Sequence, residues 1–313
     1  MKIDNGEIQM KVFVTGVAGQ LGHDVMNELY KRGHLAIGSD ISEKYSGIND
    51  DSPVVNMPYV SLDITDKEKV EKVLTEIKPD AIVHCAAWTA VDLAEEKENI
   101  EKVRKINSYG TENIAKICKK IDAKMLYLST DYIFDGEGET PWKADCKEYK
   151  PLNIYGQTKL EGEEFVRKYL EKFFIVRIAW VFGVNGNNFI KTMLKLAKTH
   201  DNLKVVSDQI GTPTYTYDLA RLLVDMIDSE KYGTYNATNE GGYISWYDFA
   251  CEIFKQAGCK IKVDPVSTKE YGQSKAKRPY NSRLDKSKLI KEGFKPLPTW
   301  QDALKRYLKL IEY

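Results

Sequence analysis

Tyr155 and Lys159 stand four residues apart in Tyr155-Gly-Gln-Thr-Lys159, and Thr130 lies 25 residues before the tyrosine in Ser129-Thr130-Asp131. On a helix, positions i and i+4 share one face, where an ammonium favours the phenolate and lowers the tyrosine pKa toward working pH. A phenol tuned in this way gives or takes a proton on a sugar or alcohol oxygen while a nicotinamide gives or takes the hydride. Thr130 adds a hydroxyl that can donate to or accept from the same oxygen. The trio Thr130, Tyr155 and Lys159 is therefore expected to carry proton-coupled hydride transfer.

Such a trio needs a cofactor held beside it. Lys11-Val-Phe-Val-Thr15 is a short apolar run, followed by Gly16, Gly19 and Gly22 and then by the helical spacing Leu21, Val25, Leu29. Strand, glycine loop and helix in that order let the backbone, with Gln20 and Leu21, approach a pyrophosphate at the helix N-terminus. Asp40 closes a second strand 24 residues after Gly16, where a carboxylate can accept from the adenosine ribose hydroxyls and favours NAD(H). Lys44 is close enough in sequence to help a 2′-phosphate, so NADPH or NADH is expected. Asp63-Ile64 after the third strand faces the adenine. Ala86-Ala87-Trp88-Thr89 after the fourth and Leu128 in the fifth line the path to the nicotinamide.

The strand-like segments 35–39, 60–62, 81–86, 125–129 and 174–179 alternate with helical periods over 70–77, 100–121 and 155–172. That alternation predicts an α/β fold with a doubly wound parallel sheet. Beyond Trp180 the rhythm changes. Helices are expected over 189–198, 217–227 and 246–257, loops over 185–188 and 207–213, and a strand at Gly233–Asn236 that returns to the first sheet. The expected division is a dinucleotide-binding domain, 10–183 with 214–237, and a smaller α/β substrate domain, 184–213 with 238–313.

The 313 residues carry 46 basic and 46 acidic side chains, so no global field draws the chain to nucleic acid or an anionic membrane. The polar start, Met1 to Gln9, lacks the apolar core of a signal peptide, and no run of eighteen apolar residues follows. Five cysteines without a Cys-x-x-Cys spacing and four scattered histidines fit a reducing compartment and no cysteine- or histidine-based metal centre. A cytoplasmic protein is expected.

The glycine pattern with Tyr155 and Lys159 resembles the extended short-chain dehydrogenase/reductase family, whose nucleotide-binding domain is of Rossmann type. Within it, Ser129-Thr-Asp-Tyr-Ile-Phe-Asp-Gly136, Tyr155-Gly-Gln-Thr-Lys-Leu-Glu-Gly162, Gly186-Asn-Asn-Phe189, Asp208-Gln-Ile-Gly-Thr-Pro-Thr214 and Arg278-Pro-Tyr-Asn-Ser-Arg-Leu284 resemble the dTDP-4-dehydrorhamnose reductases, from about residue 10 to the C-terminus. The resemblance implies reduction of the C4 ketone of dTDP-4-dehydro-L-rhamnose to dTDP-L-rhamnose by NAD(P)H. It also implies substrate contacts from Asp131, Tyr132, Trp180 and Asn188, and a homodimer. Arg278 is the cation expected to meet the nucleotide diphosphate. Trp88 stands where relatives usually carry a histidine or another aromatic. The acidic positions that bind magnesium in some relatives are matched only by Asp24, with Tyr217 at another, so no required metal is expected. Asp131-Tyr132 replaces the Asp-Glu pair of a 4,6-dehydratase. Another nucleotide-sugar reductase or a 4-epimerase of the same superfamily is an alternative, and so is a non-catalytic dinucleotide-binding regulatory subunit, against which the hydroxyl of Thr130 argues.

Overall fold

The computed structural model describes residues 9–311; residues 1–8 of the polar start, and 312–313 of the expected second domain, lie outside the described residues. The strands are β1 (Lys11–Thr15), β2 (Leu35–Asp40), β3 (Tyr59–Ser61), β4 (Ala81–His84), β5 (Lys124–Thr130), β6 (Phe173–Ile178), β7 (Val181–Phe182), β8 (Asn202–Val206), β9 (Ile210–Gly211), β10 (Thr214–Tyr215), β11 (Gly233–Asn236), β12 (Ile244–Ser245) and β13 (Lys262–Val266). The helices are α1 (Gln20–Lys31), α2 (Lys67–Ile77), α3 (Val91–Ala94), α4 (Ile100–Arg104), α5 (Thr111–Ile121), α6 (Ile154–Tyr169), α7 (Phe189–Ala197), α8 (Thr216–Ile227), α9 (Trp246–Ala257), α10 (Thr268–Tyr271), α11 (Ser287–Lys291) and α12 (Trp300–Leu308).

Seven strands form one sheet in the order β11-β6-β5-β4-β1-β2-β3, every pair parallel. Helices cover both faces, which is why β1 and β4 read as continuous apolar runs rather than alternating ones. One face packs Val12, Val14, Val25 and Leu29 against Leu219, Leu223 and Ile227 of α8. The other packs Phe13, Ile82 and Met125 against Val70, Leu74, Ile114 and Cys118. Strand order reverses between β1 and β4, so a crevice opens at their carboxyl ends. The expected Rossmann-type doubly wound sheet is present, and β11 returns to it as anticipated.

A separate apolar cluster joins Phe182, Ile190, Leu194, Phe249, Ile253, Trp300, Leu304 and Tyr307. Beside it β8 and β13 form a parallel pair and β9 pairs antiparallel with β12. Two expectations need correction. The single helix over 100–121 is broken by a π-helical turn at Lys105–Gly110, where each amide reaches one residue further back. The expected loop 207–213 contains β9, because Ile210 also exchanges backbone hydrogen bonds with Tyr280 and Ser282.

Helix α6 starts at Asn153, whose side chain accepts from the Gly156 amide at 2.8 Å. It is tied to β6 by a fully buried ion pair. Arg177 Nε and Nη2 donate to the two oxygens of Glu163 at 2.9 Å each, and Arg177 also donates to the Ala144 carbonyl and the Tyr149 hydroxyl. Burial works to raise the Glu163 carboxyl, but the hydrogen bond and charge of Arg177 outweigh it and hold it below its ordinary value. Arg177→Met would leave the buried Glu163 carboxylate with Arg167, which donates to Oε2 at 2.6 Å, as its remaining cation. We expect a loss of up to about 3 kcal/mol in urea unfolding, with Glu163→Leu/Arg177→Met recovering part of it.

Candidate active site

The crevice at the carboxyl ends of β1, β4 and β5 is a cavity of about 710 Å³. Its floor is the glycine loop. Gly16 has φ +72°, and a β-carbon there would lie 2.6 Å from the Ala86 amide nitrogen. A β-carbon on Gly22 would run into the Gly16 carbonyl. Only hydrogen fits at both, which leaves backbone N–H groups at the start of α1 open to a phosphate. Asp40 lines the cavity and braces this loop, accepting from the Ala18 and Ile41 amides at 3.0 and 2.8 Å. Gly19, Gln20, Leu21, Asp63, Ile64, Ala86, Ala87, Thr89 and Leu128 line the same cavity. A dinucleotide therefore fits the residues present.

Thr130, Asp131, Tyr132, Tyr155, Lys159 and Trp180 line it too. The crevice thus brings together residues from β1, β4, β5, α6 and the segment after β6. Thr130 ends β5, and its hydroxyl donates to Asp131 Oδ1 at 3.1 Å while accepting from the Tyr132 amide at 3.2 Å. The Tyr132 ring meets Tyr155 edge-on, with centroids 5.7 Å apart.

The expected lowering of the Tyr155 phenol is not what the structure shows. Burial, and after it the charge of Asp131, push the phenol up to about 12, and a hydrogen bond with Thr130 draws it partly back. Lys159 is not among the groups acting on it. The Lys159 ammonium lies 4.1 Å from the centroid of the Tyr127 ring, near His84 and Cys85. Burial pushes the ammonium down to about 7, against the opposing charge of Glu163. Helical spacing aligned the two β-carbons, but the long lysine tip turned to an aromatic face. The phenol is consequently held as an acid.

Beneath Lys159 lies a buried network that the sequence did not reveal. Tyr127 donates to the Lys159 carbonyl at 3.1 Å and stacks on His84, which is hydrogen-bonded to Thr15 at 2.7 Å and Thr111 at 3.1 Å. Burial pushes His84 down to about 3, so it stays neutral. Asn107, inside the π-helical turn, accepts from the Trp88 amide at 2.8 Å and donates to Thr158 on α6 at 3.2 Å. An Asn in a wide helical turn is the only signal that could have marked it.

Three expected contacts lie elsewhere. Trp88 is not among the cavity-lining residues; its indole donates to the Ala90 carbonyl and lies under Lys102. Asn188 caps α7 and donates to Gln20, the Gly183 carbonyl and Tyr307, so its side chain is spent holding α7, α12 and the glycine loop together. Arg278 is also outside the lining and forks onto Asp92 of α3 at 2.7 and 3.1 Å. Lys102 and Lys105 line the cavity without having been expected to. Trp180 lines it with a left-handed backbone, φ +50°, and stacks on Trp246 at 3.8 Å.

Asp24 and Tyr217 border a second cavity with His23 and Asp50. Burial pushes the Asp24 carboxyl up to about 7, and one of its oxygens has no partner. Among the described residues no three His, Cys, Asp or Glu side chains converge to hold a metal ion, so the donor set around Asp24 does not fit one.

The model of the RmlD substrate binding domain matches residues 10–312. The chain belongs to that family. Its relatives include the spore coat polysaccharide biosynthesis protein SpsK of Bacillus subtilis, 36% identical over 96% of this chain and 97% of the relative. A dTDP-4-dehydrorhamnose reductase of Aggregatibacter actinomycetemcomitans is also 36% identical, over 94% and 97%. Among solved structures, a dTDP-4-dehydrorhamnose reductase of Clostridium acetobutylicum is 42% identical with a TM-score of 0.86, over 96% of this chain and 99% of that one. One from Bacillus anthracis, in complex with NADP, is 37% identical with a TM-score of 0.87, over 97% and 100%.

Gly22→Ala should collapse the cradle onto Gly16. We expect NAD(P)H affinity, read by calorimetry, to fall at least about tenfold (~1.4 kcal/mol) while circular dichroism keeps the helix content of the parent.

Proposed function

We propose that this protein reduces the C4 ketone of dTDP-4-dehydro-L-rhamnose to dTDP-L-rhamnose, a precursor of cell-surface polysaccharide, with NADPH or NADH. The observation that carries the proposal is the Tyr155 phenol, half-buried and held as an acid, lining with Thr130 the crevice above the glycine cradle. A reduced nicotinamide, when bound there, supplies the hydride. Tyr155 gives its proton to the oxygen developing on C4, and Thr130 orients that oxygen. Lys159, above Tyr127, is positioned for the nicotinamide ribose hydroxyls. Asp131, Tyr132 and Trp180 form the wall for the sugar. The names of the relatives as dTDP-4-dehydrorhamnose reductases support the substrate.

In this proposal Arg278 meets the diphosphate only after leaving Asp92, the carboxylate it forks onto. The proposal keeps a division into 10–183 with 214–237, and 184–213 with 238–313, although Leu289, Phe294 and Leu297 pack in the core of the seven-stranded sheet and Phe182 and Tyr215 in the second cluster. The proposal includes a homodimer in the cytoplasm, and light scattering on the purified protein tests its mass. No helix among the described residues is long and apolar enough to cross a membrane.

The direct assay is NAD(P)H oxidation with dTDP-4-dehydro-L-rhamnose made in a coupled reaction. Tyr155→Phe should lose about two to four powers of ten in turnover, the usual share of general acid catalysis, with cofactor binding kept. Wild type no faster than that variant would sink the proposal. Asp40 at the end of β2 sets a carboxylate where a 2′-phosphate would have to lie. Asp40→Ser should therefore shift the ratio of kcat/KM for NADPH over NADH upward by about tenfold (~1.4 kcal/mol).

A further inference from the structure

Four non-glycine residues have positive φ among the described residues: Asp51, Lys78, Asp122 and Trp180. Lys78 and Asp122 end α2 and α5, where a left-handed residue is ordinary, and Asp51 is exposed outside any helix or strand. Trp180 has no such reason. It is a bulky aromatic between β6 and β7, with φ +50°, at the wall of the catalytic cavity. A left-handed backbone is costly for a large side chain and persists only where the surroundings over-determine it.

One residue holds the backbone. Thr214, fully buried, donates its hydroxyl to the Ala179 carbonyl and its amide N–H to the Trp180 carbonyl at 3.0 Å. That pins the chain but leaves the indole free to turn about its own side-chain bonds. Trp246 removes that freedom. The two indoles stack with centroids 3.8 Å apart and planes 17° from parallel. A β-carbon on Gly211 would come within 2.8–3.0 Å of Trp180 Cε2, Cζ2 and Nε1, so only glycine leaves the ring this room. The pairing of β9 with β12 brings both contacts to one place, because Gly211 stands opposite Ile244, two residues before Trp246. Trp246 is itself fixed. It opens α9 behind the capping box of Ser245 and Asp248, and Phe189 packs on it with ring centroids 4.6 Å apart.

Trp246 is not among the cavity-lining residues, so it reaches a ligand only through Trp180. The stack is also a bridge. Trp180 packs with Ile133, Phe134, Ala179 and Leu284 beside the turn that follows Thr130, and Trp246 packs on the second apolar cluster. Resting on the sugar-wall role of Trp180 proposed above, we infer that Trp246 is the positioning residue for the sugar half of the substrate. Its indole, held by the second cluster, keeps the strained Trp180 indole in one orientation before the ligand arrives. The sugar then meets a wall already set, and no side-chain freedom of that wall is lost on binding. Trp246 therefore favours ligands that carry the sugar over ligands that carry the nucleotide alone, and it leaves the cofactor untouched.

Calorimetry on the protein saturated with NADPH, comparing dTDP-L-rhamnose with dTDP, isolates the sugar term, and no reaction occurs because both ligands are already reduced. Trp246→Leu should weaken dTDP-L-rhamnose about tenfold (~1.4 kcal/mol) while dTDP and NADPH stay within about twofold. Trp246→Phe, which keeps a flat face for Trp180, should bring the sugar nucleotide back to within about threefold of wild type. A leucine variant that weakens dTDP as much as dTDP-L-rhamnose would make Trp246 a packing residue of the second cluster. A phenylalanine variant as weak as the leucine one would mean that volume matters and the stacked face does not. Either result overturns the inference. So does an unchanged leucine variant beside a Trp180→Leu variant that loses sugar affinity, and that outcome leaves the sugar wall standing. Trp180→Leu without loss would remove the wall itself and the inference with it. The unliganded wild type gives an independent reading in far-ultraviolet circular dichroism, even where the leucine variant fails to fold. Its stacked indoles should produce an exciton couplet that Trp246→Phe abolishes, and a wild-type spectrum without the couplet would mean that the pair is not locked, which also overturns the inference.

Discussion

The active crevice depends on one buried contact, the fork of Arg177 on Glu163. Two charges at zero exposure are costly to desolvate, and the cost is met because both carboxylate oxygens and the guanidinium edges are used and Arg167 donates to Glu163 as well. What the pair secures is geometry rather than net stability. Arg177 sits in the central sheet, Glu163 one helical turn beyond Lys159, and the contact fixes the roll of α6 about its axis. Tyr155 and Lys159 cannot turn away from the cavity while it holds. Asn153 fixes the other end of the helix through the Gly156 amide. The same α6 is pinned laterally by Asn107 through Thr158. The catalytic helix is thus held at its start, its middle and its far turn by buried polar contacts.

Much of this frame was legible in the sequence because it is periodic. Strands buried on both faces announce themselves as apolar runs, and Gly16 and Gly22 mark the cradle because no other residue fits their conformation and contacts. The cavity also gathered most of the residues expected in it. What failed were the roles of side chains whose partners are far away in the chain. Arg278 meets Asp92, 186 residues distant, and Asn188 meets Tyr307, 119 residues distant. A cation or an amide read in isolation looks free, and only the fold shows that its hydrogen bonds are already committed. The break in the long helix at Lys105–Gly110 was missed for a related reason. Its apolar spacing persists, while the register shift is set by Asn107 reaching Trp88 and Thr158.

The Tyr155 and Lys159 pair shows the limit of spacing arguments in a sharper way. Their positions were right and their interaction was not. Position i and i+4 brings the two stems alongside each other, but four methylenes carry the ammonium to whichever partner the surroundings offer. Here the partner is the face of Tyr127, itself locked by His84. The phenol is left with a neutral hydroxyl and a carboxyl as neighbours, an environment that keeps it protonated. For an enzyme working in the direction of reduction, that is the useful state.

The return of β11 to the outer edge of β6 bears on how the chain can fold as it is made. The nucleotide-binding sheet is not complete when β6 emerges from the ribosome; its last strand follows 55 residues after Ile178, beyond α7 and the short strands of the second cluster. Until then β6 is an open edge, and the face later covered by α8 is bare. Synthesis at roughly 5–20 residues per second makes that interval a matter of seconds. The two halves are therefore interleaved in time as well as in space, and the cofactor-binding half has no covering for one flank until the first segment of its neighbour, 184–213, has already been synthesised.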